Sequence, residues 1–236
     1  MSTYLVLCQD MARDVGIPGT GPSAVDSTTL SEEENAVVRY IAQADQDIQS
    51  RWFDWDFLWS EATITVTTAT STLVSGDTGF PSDLGNWKLD SFVYDKTSAD
   101  YIILEYMRWN EYRDMYKYGT VDEDLPEVYS LKPDSSIDLY PTPSATSSIS
   151  TEYWATPTVL VADGDISAIP PRFHKIIIAR AKMYYAENED APEIMAGALA
   201  EFEDLLDKLE ADQLPRQKNR RFSAAQDLEN FVVRTE

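Results

Sequence analysis

With 236 residues, 43% of them hydrophobic, the chain has enough apolar material for one large packed domain or two small ones. A single cysteine, Cys8, excludes an internal disulfide and any cysteine-based zinc site. The formal net charge is −22 and unevenly spread: beyond Gln213, Arg216, Lys218, Arg220, Arg221 and Arg234 face only Asp227, Glu229 and Glu236. This last stretch carries +2, which leaves −24 on the body. A body so acidic does not grip nucleic acid by neutralising phosphates. It suits a wall that repels DNA. No apolar run approaches the roughly 18 residues of a membrane helix, and the N-terminus lacks the basic-then-apolar pattern of a signal peptide.

Thr3 to Val15 reads as a first helix, with Tyr4, Leu7, Cys8, Met11 and Val15 on one face. Cys8 falls in this apolar stretch as a buried small hydrophobe. The run from Gly16 to Pro22, and the Ser/Thr-rich residues to Thr29, form a loop. Its glycines lack the preceding strand and the following Gly-Lys-Ser/Thr of a phosphate loop.

The longest periodic stretch runs from Ser31 to Trp59. Val37, Ile41, Ala44, Ile48, Trp52, Trp55 and Trp59 recur every three or four residues, which predicts one continuous helix of roughly 40 Å. Ser31 and Glu34 form a capping-box pair, and Glu32, Glu33 and Glu34 suit the positive end of the helix dipole. Arg39, Gln43, Asp45, Gln46, Asp47 and Gln49 are expected on the water side. The aromatic run from Trp52 to Trp59 is expected to close the base of a bundle as core. An outward stacking platform for sugars or bases is the alternative, and the helical register argues against it.

After Trp59 the period changes to two. Ala62–Thr68, Trp87–Tyr94 and Tyr101–Tyr106 read as strands. Trp109–Tyr118 reads as a short aromatic helix ended by Gly119. Glu127–Leu131, Ser136–Tyr140 and Ile149–Trp154 are further short strands. Asp163-Gly164-Asp165 is a turn without the acidic ladder of a calcium loop. Pro170-Pro171 opens a helix through Phe173, Ile176, Ile177, Arg180, Ala181, Tyr184 and Tyr185. His174, the sole histidine, has no histidine or cysteine neighbour there, so neither a metal nor a catalytic role is expected. A last amphipathic helix carries Met195, Leu199, Phe202, Leu206 and Leu209, with Pro192 in its first turn.

The expected fold is therefore mainly α with inserted β. Residues 1–60 and 163–212 form a helical bundle from both chain ends, residues 61–162 a β-rich insertion with one short helix, and residues 213–236 an extended C-terminal arm. Such an arm, with Arg216, Lys218, Arg220, Arg221 and Phe222 for charge and stacking contacts and Leu228, Phe231 and Val232 as apolar anchors, either stays disordered or docks on a partner, and the apolar residues favour docking.

Three segments, in this order, resemble the head-to-tail connector (adaptor) proteins of tailed bacteriophages, the short-tailed type above all. They are Ile48–Leu58, then Ile137–Pro143 followed by Ser150–Trp154, then Asp163–Pro170 leading into the helix with Ala179-Arg180-Ala181. The resemblance implies a structural virion protein with no enzymatic activity, cofactor or metal. It implies a homo-oligomeric ring, usually of twelve copies, between the portal protein and the tail or nozzle protein. DNA passes through such a ring during packaging and ejection without specific binding. It also implies a location in the virion neck, with assembly in the host cytoplasm and no membrane association. The arm residues named above would then bind the portal.

Two other classes compete. With 41 acidic residues, a carboxylate pair at hydrolase spacing arises by abundance alone, and no nucleophile elbow, histidine dyad or metal cluster accompanies it. A host- or glycan-binding tail component is the other, with Tyr101, Tyr106, Trp109, Tyr112, Tyr116 and Tyr118 as a stacking surface.

Overall fold

A computed structural model of the chain describes residues 2–26, 29–97, 100–119 and 122–214. Helix accounts for about 40% and strand for 21%, so the fold is mixed α/β rather than mainly helical.

Helix α1 (Tyr4–Val15) ends where Gly16 takes a left-handed conformation (φ +80°) and its amide returns to the carbonyls of Ala12 and Arg13. Helix α2 (Glu32–Ser50) starts with the expected capping box: Ser31 Oγ accepts from Glu34 N at 3.2 Å, and Glu34 Oε2 accepts from Ser31 N at 2.9 Å. Near the other end of the chain, α4 (Lys175–Asn188) follows a short 3-10 turn over Pro171–Phe173, and α5 (Pro192–Gln213) has Pro192 in its first turn. These four helices share one apolar cluster, centred on Leu7, Met11, Val37, Ile41, Ile48, Ile176, Ile177, Phe202 and Leu209.

The middle of the chain builds a second cluster between two sheets. Strand β1 (Trp59–Val66) pairs antiparallel along its whole length with β11 (Ser147–Ala155). The other edge of β11 takes β4 (Val93–Thr97) and, farther along, β3 (Leu84–Trp87); β5 (Asp100–Ile103) adds outside β4. On β11 the alternate residues Ile149, Thr151 and Tyr153 are buried, the period-two signature of a half-covered strand. The second sheet runs β2 (Thr72–Leu73), β9 (Ile137–Tyr140), β8 (Val128–Leu131), β6 (Glu105–Tyr106). A two-stranded parallel pair joins β7 (Glu123–Asp124) to β10 (Thr142–Pro143). Phe92 from beside the first sheet stacks on Tyr129 from the second at 4.1 Å between ring centroids, and Ile64, Val66, Leu73, Ile137 and Leu139 fill the same interior. Between β6 and β7, α3 (Trp109–Tyr112) widens into a π turn over Arg113–Lys117.

The structure departs from expectation in several further places, and the strand expected over Tyr101–Tyr106 is one of them: it divides into β5 in the first sheet and β6 in the second. The helix expected to run to Trp59 stops at Ser50, and the chain turns through a 3-10 segment at Asp56–Leu58 into β1. The three-four spacing continues past Ser50, but Trp, Phe and Asp are weak helix formers, so tertiary packing decides the path. The aromatic run accordingly divides: Trp55 and Leu58 enter the helical cluster, while Trp52, Phe53 and Trp59 remain exposed. The strand expected over Trp87–Tyr94 is two strands, β3 and β4, separated by a turn in which Ser91 N bonds Lys88 O at 3.2 Å. Asp45 and Gln49, expected on the wet face of α2, are wholly buried.

Candidate functional site

All eight residues assigned to the arm, Arg216, Lys218, Arg220, Arg221, Phe222, Leu228, Phe231 and Val232, lie outside the described residues. Leu214, the last described residue before them, lies at the end of α5. Leu214 follows α5 with extended backbone and packs on the helical cluster. One turn earlier, Glu210 Oε1 accepts from Trp52 Nε1 at 3.0 Å and from Arg51 Nε at 3.2 Å. The end of α5 is thereby fixed beside the end of α2.

That corner is where the helical and β clusters meet. Trp52, Phe53 and Trp59 are 43%, 59% and 45% exposed. Phe53 meets Trp154 of β11 edge-on at 5.9 Å. Trp59 Nε1 donates to Glu152 Oε2 at 2.9 Å, and Lys88 Nζ donates to the same oxygen at 2.5 Å. The Lys88 bond, then the Trp59 bond, holds the Glu152 carboxyl below its usual range.

The return crossing, from β11 to α4, is pinned from three sides. Asp163 Oδ1 accepts from Val25 N at 2.6 Å, and the carbonyls of Asp163 and Asp165 accept from Leu5 N and Tyr4 N. Asp165 Oδ2 accepts from the amides of Val161 and Ala162, both at 2.7 Å, and those bonds lower its proton affinity. Both carboxylates of the Asp-Gly-Asp turn are thus engaged with backbone amides. On the third side, buried Asp45 takes Ser167 Oγ on Oδ1 at 2.5 Å and Gln49 Nε2 on Oδ2 at 2.7 Å. Gln49 Oε1 accepts from Thr158 N at 3.0 Å. Burial pushes the Asp45 carboxyl up to about 6, against the opposing pull of its Ser167 and Gln49 bonds. Sequence reasoning misses this network, although a signal exists: at 100° per residue, position 45 lies only about 40° from Ile41 on the helix, inside the apolar arc.

His174 is buried, and its Nε2 bonds the carbonyl of Ile169 at 2.9 Å. Since a carbonyl only accepts, Nε2 carries the proton. Burial lowers the ring's proton affinity and so favours its neutral form. No group of metal-ligating side chains occurs among the described residues.

The aromatic residues considered for glycan stacking divide between buried and exposed positions. Tyr112 is buried and donates to Leu139 O at 3.0 Å. Tyr116 stacks on Tyr140 at 4.0 Å. Trp109 has two lysines near its ring, with Lys117 and Lys132 Nζ at 5.4 and 5.6 Å from the ring centroid. Tyr101, Tyr106 and Tyr118 are exposed. No helix among the described residues is long and apolar enough to cross a membrane.

The family described as SU10 adaptor protein matches residues 2–227. No curated protein matches the chain.

Proposed function

The chain belongs to the SU10 adaptor protein family, and from that premise we propose that it forms a ring, of twelve copies, joining the portal of a short-tailed phage to its tail or nozzle. The family supports a structural role as a phage adaptor, with portal and tail components as partners and the virion neck as its place. The observation that carries the reading is the extent of the match, which takes in both helical ends, the β region and most of the arm.

In this reading the helices of residues 1–60 and 163–212 act as a bundle at the ring wall, and the β region of residues 61–162 projects from it. Two separate apolar clusters support that division. DNA passes through the ring during packaging and ejection, and a net charge of −22 supports a channel that does not retain it. Residues 213–236 reach the portal, with Arg216, Lys218, Arg220 and Arg221 making charge contacts, Phe222 stacking, and Leu228, Phe231 and Val232 as anchors. Assembly takes place in the host cytoplasm, and the protein performs no catalysis.

Cryo-electron microscopy of the protein mixed with its cognate portal tests the reading. The expected result is a ring below the portal with density for residues after Gln213 along the portal surface. A chain ending at Leu214 is expected to lose portal affinity; binding as tight as that of the full chain would refute the role of the arm.

A further inference from the structure

The exposed rings of Trp52 and Phe53 border an apolar groove of about 210 Å³, completed by Leu58, Ala155 and Pro157. Large exposed apolar residues beside such a groove mark a docking surface. Its surroundings are acidic. Asp54 and Asp56 lie in the same turn and form no ion pair among the described residues. Glu210 and Glu152 each bond one of the flanking indoles but are already paired with Arg51 and Lys88, which leaves Asp54 and Asp56 as the counter-charges.

The chain itself supplies a matching occupant. Helix α5 is tied to this corner through Glu210, and the sequence continues from Leu214 into Arg216, Lys218, Arg220, Arg221 and Phe222 with no acidic residue among them. The stretch from Leu214 to Phe222 spans up to about 27 Å when extended, several times the rise of the one helical turn that separates Leu214 from Glu210. So short a tether gives an effective concentration in the millimolar range. A second copy of the chain would have to compete with that.

We propose that residues 216–222 dock on this seam of their own chain, with Phe222 in the groove, guanidinium groups over Trp52 and Phe53, and Asp54 and Asp56 as counter-charges. The docked segment covers the exposed rings of the free subunit and shields the basic residues from other partners. A partner that binds the arm must first displace it, so docking lowers that partner's apparent affinity by the docked fraction. The contact is a property of the isolated subunit, and stands whether or not the arm grips a portal.

The test is photo-crosslinking of the full chain carrying Phe222→p-benzoylphenylalanine, with equal parts of light and heavy isotope-labelled protein. The expected adducts fall within residues 50–59 or 152–157 and join segments of the same isotope. Asp54→Lys with Asp56→Lys should lower their yield at least fivefold, and so should raising salt from low to molar concentration. Adducts at the groove that join light to heavy chains would assign it to a second copy and overturn the proposal. Adducts confined to other surfaces, or none, would also overturn it.

Discussion

Asp45 offers the sharpest test of how the crossing from β11 to α4 is held. Its carboxyl is buried with no ion pair among the described residues, and its affinity for a proton rises from an ordinary 3.8 to about 6. The folded state therefore binds a proton more tightly than the unfolded chain, and this residue's contribution to stability falls as pH climbs from about 4 to 7. At about 1.4 kcal/mol per tenfold change in proton affinity, the loss across that interval is about 2–3 kcal/mol. Asp45→Asn removes the titration and keeps the acceptor for Ser167. It also places an NH2 group against Gln49 Nε2, whose partner oxygen is already engaged with Thr158, a conflict that costs about 1–3 kcal/mol. Urea unfolding of both proteins at several values between pH 4 and 7 isolates the effect, because the other carboxylates titrate in both. At pH 4 the variant should be the less stable, and the gap should close by about 2 kcal/mol or invert by pH 7. A gap that stays constant over the interval would refute the argument.

Three further outcomes follow from packing. Ile41→Ala removes a fully buried side chain from the helical cluster and should cost about 2–5 kcal/mol in denaturant unfolding, against less than about 0.5 kcal/mol for Val6→Ala at an exposed position. Gly79→Ala sets a Cβ 1.9 Å from the carbonyl oxygen of Thr63 at φ +86°, and should cost about 3 kcal/mol or more, whereas Gly76→Ala, at φ +109° with open space around it, should cost only about 1 kcal/mol; equal melting temperatures for the two variants would contradict this. Cys8 is buried and burial pushes its thiol up to about 12, so it should resist alkylation at pH 8 until denaturant unfolds the protein.

The parts legible in the sequence are those with long periods and clear punctuation. Ser31 with Glu34, Gly16 and Pro192 mark helix ends where the structure has them, and the apolar face of α1 and the Phe202–Leu209 part of the α5 face follow from spacing, whereas Leu199, expected on that face, is exposed and Ala198 is buried instead. The long strand β11 carries its alternation openly. The two-residue strands β2, β6, β7 and β10 are too short to carry a period and exist only because a neighbour pairs with them. The turn after Ser50 is hidden for another reason. Trp52, Trp55 and Trp59 keep helical spacing, yet Trp55 reaches the core from a turn and the two others reach water. The basic stretch beyond Gln213, proposed to bind the portal, is legible as composition. Asp45 and Gln49 read as surface when polarity is weighed above their angle on the helix.

The same corner explains why polar groups sit inside. The chain passes between its two clusters twice, once through residues 51–58 and once through 156–174. Apolar packing alone fixes neither crossing in register, since a groove of alkyl and aromatic groups tolerates sliding. Directional bonds do not: Gln49 reads the backbone of Thr158, Asp45 reads Ser167, and Glu210 reads the indole of Trp52. Each costs desolvation, and each gives one geometry in return. In the proposed role the two halves of the subunit meet different partners. Such a subunit needs a fixed angle between them more than the last increment of stability, which is why the unfavourable burial of Asp45 is tolerable.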